Sequence, residues 1–270
     1  MDIKMLYPGY KAKALTLSYD DGVITDIRLI EILKKYGIKA TFNLNSGLFN
    51  KDGMYVRRLS YEEARGLYIN KGMEVALHTL THPNLLDLSY DEILYEIEED
   101  KRNLERMTNL EVSGIAYPFG SYNSDTIDIL KKNNIEYGRT VLATYDFSIP
   151  DDFLKMSVTC RHKDKCLFDL ANKFISLDNN EASLFYLWGH SYEFYHDDNF
   201  SLIEDFSRLM GNRASIWYAT NIEVVRYIKA FRAIKIDYNK KIIINNTNID
   251  LYILLNGRRI LVRANSMIGY

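Results

Sequence analysis

The chain has 270 residues, with 34 Lys+Arg against 36 Asp+Glu and a formal net charge of -2. A hydrophobic share of 47% and a charged share of 26% describe a globular protein and exclude a disordered or fibrous one. The near-neutral balance argues against a nucleic-acid binder, and two cysteines, Cys160 and Cys166, are too few for a disulfide framework. No stretch reaches the roughly 18 uninterrupted apolar residues of a membrane span. The start, MDIKMLYPGYKAK, lacks an apolar secretory core, so a soluble cytoplasmic protein without a membrane partner is expected.

Strand-like and helix-like runs alternate along most of the chain. AKALTLSYDD reads as a strand ending in two acids, and ITDIRLIEILKKYG as a helix with Gly37 near its C-cap. KATFNLN is a second strand. SYEEARGLYINKG follows with Ser60 and Glu63 at capping-box spacing, and Gly72 closes it. MEVALHT is a third strand, and Ser89 and Glu92 open another capped helix. GIAYPFG, SDTIDILKKNN, YGRTV, SLFYLWGH, NFSLIEDFSRLMG, SIWYATN and IEVVRYIKAF continue the alternation, which predicts a parallel α/β sheet, barrel or open. From about residue 233 the texture changes to short β-branched runs between turn residues. Residues 233–270 are therefore expected to form a small antiparallel β appendix of three or four strands, beside a main domain of residues 1–232.

Chemistry-bearing residues sit where these strands end. Asp20 and Asp21 close the first strand, and Gly22 lets the chain turn away. At a strand's C-terminal end both carboxylates can reach one mouth, as a metal ligand beside a general base. An Asx turn or helix N-cap is the alternative there. His78 and His82, in LHTLTHP, place two imidazoles on one turn, and with Asp21 they make a three-ligand set with open positions. AYPFG is a tight turn able to present the Phe119 N–H as an oxyanion donor. His190, in YLWGH, ends an apolar strand, and beside a metal its natural role is general acid.

The series SYDDG, HTLTH, AYPFG and WGH, in this order and each at a strand end, resembles the polysaccharide deacetylase family, over residues 10 to 230. The resemblance implies a distorted (β/α) barrel of fewer than eight strands and metal-dependent removal of acetyl groups from N-acetylated sugars. It places Asp21, His78 and His82 on the metal triad and Asp20 on the catalytic base. Thr79 falls on a residue bracing the histidine loop, the Phe119 N–H on the oxyanion donor and His190 on the general acid. An imidazole–carboxylate set suits Zn²⁺, with Co²⁺, Ni²⁺ or Mn²⁺ as alternatives.

Three positions depart from the family. Ala116 stands where an Arg usually orients the catalytic Asp, and Arg139 in YGRTV is the candidate replacement. Trp188 replaces the Leu of the acetyl-methyl pocket and, with Tyr117, is expected to contact substrate. No Asp-and-Trp motif tunes His190, and TCRHKD offers His162 or Asp164 as its partner; His196 reads as an exposed loop residue. An O-acetyl carbohydrate esterase and a catalytically silent carbohydrate-binding protein remain open as other readings.

Overall fold

The computed structural model describes residues 2–53, 55–178 and 180–270. The chain begins with β1 (Ile3–Leu6), followed by β2 (Lys13–Asp20), α1 (Asp26–Lys35), β3 (Thr41–Leu44), α2 (Tyr61–Tyr68), β4 (Glu74–Leu77) and α3 (Tyr90–Thr108). It continues through β5 (Gly114–Ala116), α4 (Ser124–Lys132), β6 (Tyr137–Ala143), β7 (Met156–Val158), β8 (Cys160–Arg161) and α5 (Leu167–Ser176). Then come β9 (Ser183–Gly189), α6 (Ser191–His196), α7 (Phe200–Met210), β10 (Ile216–Tyr218) and α8 (Asn221–Arg232). Five strands finish it: β11 (Lys235–Asp237), β12 (Ile242–Asn245), β13 (Leu251–Leu255), β14 (Arg258–Val262) and β15 (Ser266–Gly269). Both capping boxes form, Ser60 with Glu63 and Ser89 with Glu92.

The large sheet is parallel, in the order β7-β6-β5-β4-β3-β2-β9-β8, with β10 alongside the first half of β2. Its two ends belong to one bent segment. Met156–Val158 pairs with β6, and two residues later Cys160–Arg161 pairs with β9, so the chain itself closes the ring. The result is a distorted (β/α) barrel. No sequence pattern hints at this closure, because two strands of three and two residues are too short to show a period.

Apolar stripes on the helices cover the barrel's outside. α1, for example, buries Leu29, Ile30, Ile32 and Leu33 against Leu17, Tyr19, Phe42 and Leu44 of the strands. At the N-terminal ends of the strands the barrel is sealed by α8. The Asn221 N–H donates to Thr41 Oγ1 (2.9 Å) and the Ile222 N–H to Glu74 Oε2 (2.9 Å). Glu74 also accepts from Tyr137 and Thr41, both at 2.7 Å, so this buried carboxyl has a full set of donors. The opposite mouth carries the cleft into which the strand-end residues project.

The C-terminal strands make two three-stranded antiparallel sheets, β11-β12-β15 and β1-β13-β14. The N-terminal strand thus completes the second of them through the register Ile3↔Leu255 to Leu6↔Tyr252.

One buried acid braces the helices under the mouth. Asp26, at the start of α1, accepts hydrogen bonds from Tyr68 Oη of α2 (2.6 Å) and from Ser191 Oγ of α6. Burial pushes its carboxyl up to about 7, against the pull of those two bonds. The folded protein therefore keeps a proton that the unfolded chain has released, and stability falls as pH rises from about 4 to about 7. Asp26→Asn is expected to remove that loss, so its melting temperature relative to wild type should rise across this window. A difference independent of pH would contradict the assignment.

Candidate active site

Strands β2, β4, β5 and β9 end at the same mouth, and the residues that follow them line a cleft of about 400 Å³. Asp20 and Asp21, His78 and His82, Phe119 and His190 all reach it, with Arg58, Arg161, Trp188, Tyr55 and Tyr192 on its walls. Four non-glycine residues here hold left-handed backbone: Asp21 (φ 83°), Thr79 (φ 64°), His82 (φ 61°) and Phe119 (φ 57°). Each such residue costs roughly 1–3 kcal/mol and persists only where its surroundings over-determine it, which is typical of functional sites.

Asp21, His78 and His82 bring one potential ligand atom each to within 4.8 Å of the others. His78 Nδ1 donates to the Ala116 carbonyl (2.7 Å), which leaves Nε2 with its lone pair free. Burial holds His78 down to about 4 and also lowers His82, so both are neutral imidazoles at neutral pH. Two neutral imidazoles and a carboxylate fit a divalent transition ion. Helix α3 holds the histidine loop in place. Asp100 accepts from the His78 N–H (3.2 Å) and the Ser46 N–H (2.8 Å), and Glu96 accepts from the Thr81 N–H and hydroxyl. Thr79 Oγ1 donates to the His78 carbonyl (2.6 Å) and accepts from the His82 N–H (3.2 Å).

Asp20 lies behind this set, with its carboxylate almost completely buried. Arg139 is the direct cross-strand neighbour of Ala116, so its guanidinium starts one strand over from the family's usual position. Its Nη2 reaches both Asp20 oxygens at 2.5 Å, and Asn43 Nδ2 donates to Oδ1 at 2.8 Å. One nitrogen straddles the carboxylate, in place of a two-nitrogen fork. The guanidinium carbon lies 4.6 Å from the centre of the Trp188 ring, which gives the buried cation a π face. Burial alone would raise the Asp20 carboxyl, but Arg139, His78 and His190 outweigh it and bring it to about 2. Asp20 is therefore ionised and able to accept a proton.

His190 Nε2 stands 3.9 Å from Asp20 Oδ2 and 4.0 Å from Asp21 Oδ2. Its other nitrogen, Nδ1, faces Glu193 Oε2 at 3.4 Å. The partner of His190 is thus Glu193, three residues on in α6, and not His162 or Asp164. His162 Nε2 lies 3.2 Å from that same Glu193 oxygen, outside hydrogen-bond alignment, and Asp164 instead accepts from the Arg161 N–H (2.9 Å) to close a turn. Arg161 Nη2 takes the other Glu193 oxygen at 2.5 Å. Gly189 is required by this packing, since a Cβ there would fall 2.0 Å from His162 Nδ1. Burial opposes charge on His190, but Glu193, Asp20 and Asp21 raise its pKa overall.

The remaining predicted residues divide. Phe119 is 67% exposed with its ring edge-on to His82 (4.7 Å), and its N–H has no backbone acceptor among the described residues. Trp188 forms a buried wall of the cleft. The Tyr117 hydroxyl is committed to the Leu154 carbonyl (2.6 Å), so only its ring is left for the cleft. His196 is exposed and lies outside the site. Among the described residues no helix is long and apolar enough to cross a membrane.

The polysaccharide deacetylase family matches residues 8–138. The polysaccharide-deacetylase homologue YxkH of Bacillus subtilis is 27% identical over 130 residues, 47% of this chain and 44% of its own. A peptidoglycan-N-acetylglucosamine deacetylase of Bacillus cereus is 27% identical over 113 residues, 41% of this chain and 38% of its own. The chain therefore spans less than half the length of these two curated relatives. A Mycobacterium smegmatis structure shares the fold at a TM-score of 0.64, with 14% identity, over 85% of this chain and 94% of that one. Residues 8–138, which carry SYDDG, HTLTH and AYPFG at the strand ends of such a barrel, thus match the polysaccharide deacetylase family.

Proposed function

We propose that the protein is a metal-dependent deacetylase that hydrolyses the acetamide group of N-acetylated sugars or glycans. One observation carries this reading: an ionised carboxylate and an imidazole, Asp20 and His190, stand 3.9 Å apart beside the Asp21–His78–His82 set. A divalent ion, Zn²⁺ by the chemistry of its donors, would polarise an acetyl carbonyl and acidify water there. Asp20, kept ionised by Arg139, accepts the proton of the attacking water. The Phe119 N–H stabilises the negative oxygen as the carbonyl carbon becomes tetrahedral. His190 gives its proton to the departing amine, which would leave poorly as an anion, and Trp188 lines the acetyl pocket.

The experiment is acetate release from N-acetylglucosamine oligomers, measured beside O-acetylated xylan with the same metal-loaded protein. Faster release from the amide supports the proposal, and release from the ester alone replaces it with an O-acetyl esterase. Glu193 supplies a further check. In Glu193→Gln, His190 loses its anionic partner, so amide turnover should fall at least about tenfold. Turnover of 4-nitrophenyl acetate, whose leaving group needs no proton, should change little. Equal losses on both substrates would contradict His190 as general acid.

A further inference from the structure

Arg58 belongs to none of the four strand-end motifs, yet it holds the carboxylate of the ligand set. Its loop is tied back to the turn after β2 by the Leu59 N–H on the Gly22 carbonyl (2.9 Å) and closed on itself by the Arg58 N–H on the Lys51 carbonyl (3.0 Å). The side chain is only 13% exposed. Nη1 donates to the Asp21 carbonyl at 2.5 Å, and Nη1 and Nη2 both lie 3.3 Å from Asp21 Oδ1. The same Nη1 donates to Asn45 Oδ1 at 3.1 Å. The amide of Asn45 in turn donates to the His78 carbonyl and, at 2.9 Å, to the Thr79 carbonyl.

A continuous chain of hydrogen bonds thus runs from Asp21 through Arg58 and Asn45 to the loop of His78 and His82. It joins the two segments whose left-handed residues, Asp21, Thr79 and His82, need external restraint. Asp21 Oδ2 is left without a hydrogen bond among the described residues. We propose that Arg58, with Asn45, is a positioning strut for the metal site, fixing the spacing between the carboxylate ligand and the histidine loop. This rests on the reading of Asp21, His78 and His82 as ligands.

A guanidinium beside a metal site also repels a dication, and that effect has the opposite sign. If repulsion dominated, removing Arg58 would tighten metal binding. The geometry favours the strut, because the guanidinium engages one carboxylate oxygen and the main chain and leaves the other oxygen open. Outer partners of metal ligands typically govern affinity by about 10–100-fold.

The test is the Zn²⁺ dissociation constant of the full chain, measured by competition with a chromophoric chelator below the melting temperature of each variant. Arg58→Met should weaken binding by about 10–100-fold. Arg58→Lys, which keeps the charge but loses the fork, should fall between it and wild type. Arg57→Met is the control, since Arg57 pairs with Glu63 on the surface. Tighter or unchanged binding in Arg58→Met overturns the strut, and if that variant does not fold, Arg58→Lys binding as well as or better than wild type does so. Wild-type protein that takes up no Zn²⁺ overturns the ligand set itself, an outcome visible without any variant.

Discussion

Asp20→Asn is expected to lower acetate release by about 100-fold or more, the usual range for loss of a general acid–base group, while metal stays bound. The reason lies in the donors around that carboxylate. Arg139 Nη2 reaches both oxygens and Asn43 reaches one of them, so both are used as acceptors. An asparagine has one oxygen, and its amide must turn an N–H toward a donor that cannot accept it. The variant therefore loses the proposed base and leaves part of a buried cation uncompensated, which should also lower its melting temperature. Asp21, His78 and His82 are untouched, so metal content by atomic emission should match wild type. Undiminished turnover in this variant would remove Asp20 from its role.

Arg139→Met is expected to have the second largest effect, and it tests the same carboxylate from the other side. Arg139 is completely buried, its Nε and Nη1 have no hydrogen-bond partner among the described residues, and what holds it is Asp20 and the face of Trp188. Methionine fits the space along the Trp188 ring but leaves Asp20 with Asn43 alone. Breaking a buried pair by removing one partner costs about 3–5 kcal/mol, which a denaturant midpoint would register. The pH dependence should move as well. In wild type Asp20 titrates at about 2, so its carboxylate is fully ionised from mildly acidic conditions upward. Without the guanidinium its carboxyl rises, and the acid limb of the activity profile should shift to higher pH. A variant with wild-type stability and an unmoved acid limb would show that Arg139 does not hold the base.

The barrel was legible because strand and helix alternate in separate, periodic runs, and the candidate site was legible because the residues that meet in it lie within a few positions of strand ends. Asp20, Asp21, His78, His82 and His190 are read locally. Arg139 was accessible for a second reason, since its strand follows that of Ala116 and parallel neighbours share a register. The supports were hidden for the opposite reason. Arg58 and Asn45 meet Asp21 only through a folded-back loop, and Asn43 meets Asp20 across a strand pair. Asp100 and Glu96 reach the histidine loop from the buried face of α3, although in sequence their spacing looks like an ordinary charged helix face. Glu193 had a local signal, three residues after His190 on a short helix. That signal became distinctive only once α6 turned its side chain back toward His190.

The central claim is that Asp21, His78 and His82 hold the ion on which acetyl hydrolysis depends. The most direct measurement follows acetate release from N-acetylglucosamine oligomers by the purified chain as isolated, after chelation, and after Zn²⁺ is restored, beside a His78→Gln variant. Release should disappear with the metal and return with it in wild type, while His78→Gln stays inactive at the same added Zn²⁺. Acetate released at an undiminished rate by the chelated protein, or full activity in His78→Gln, would contradict the account.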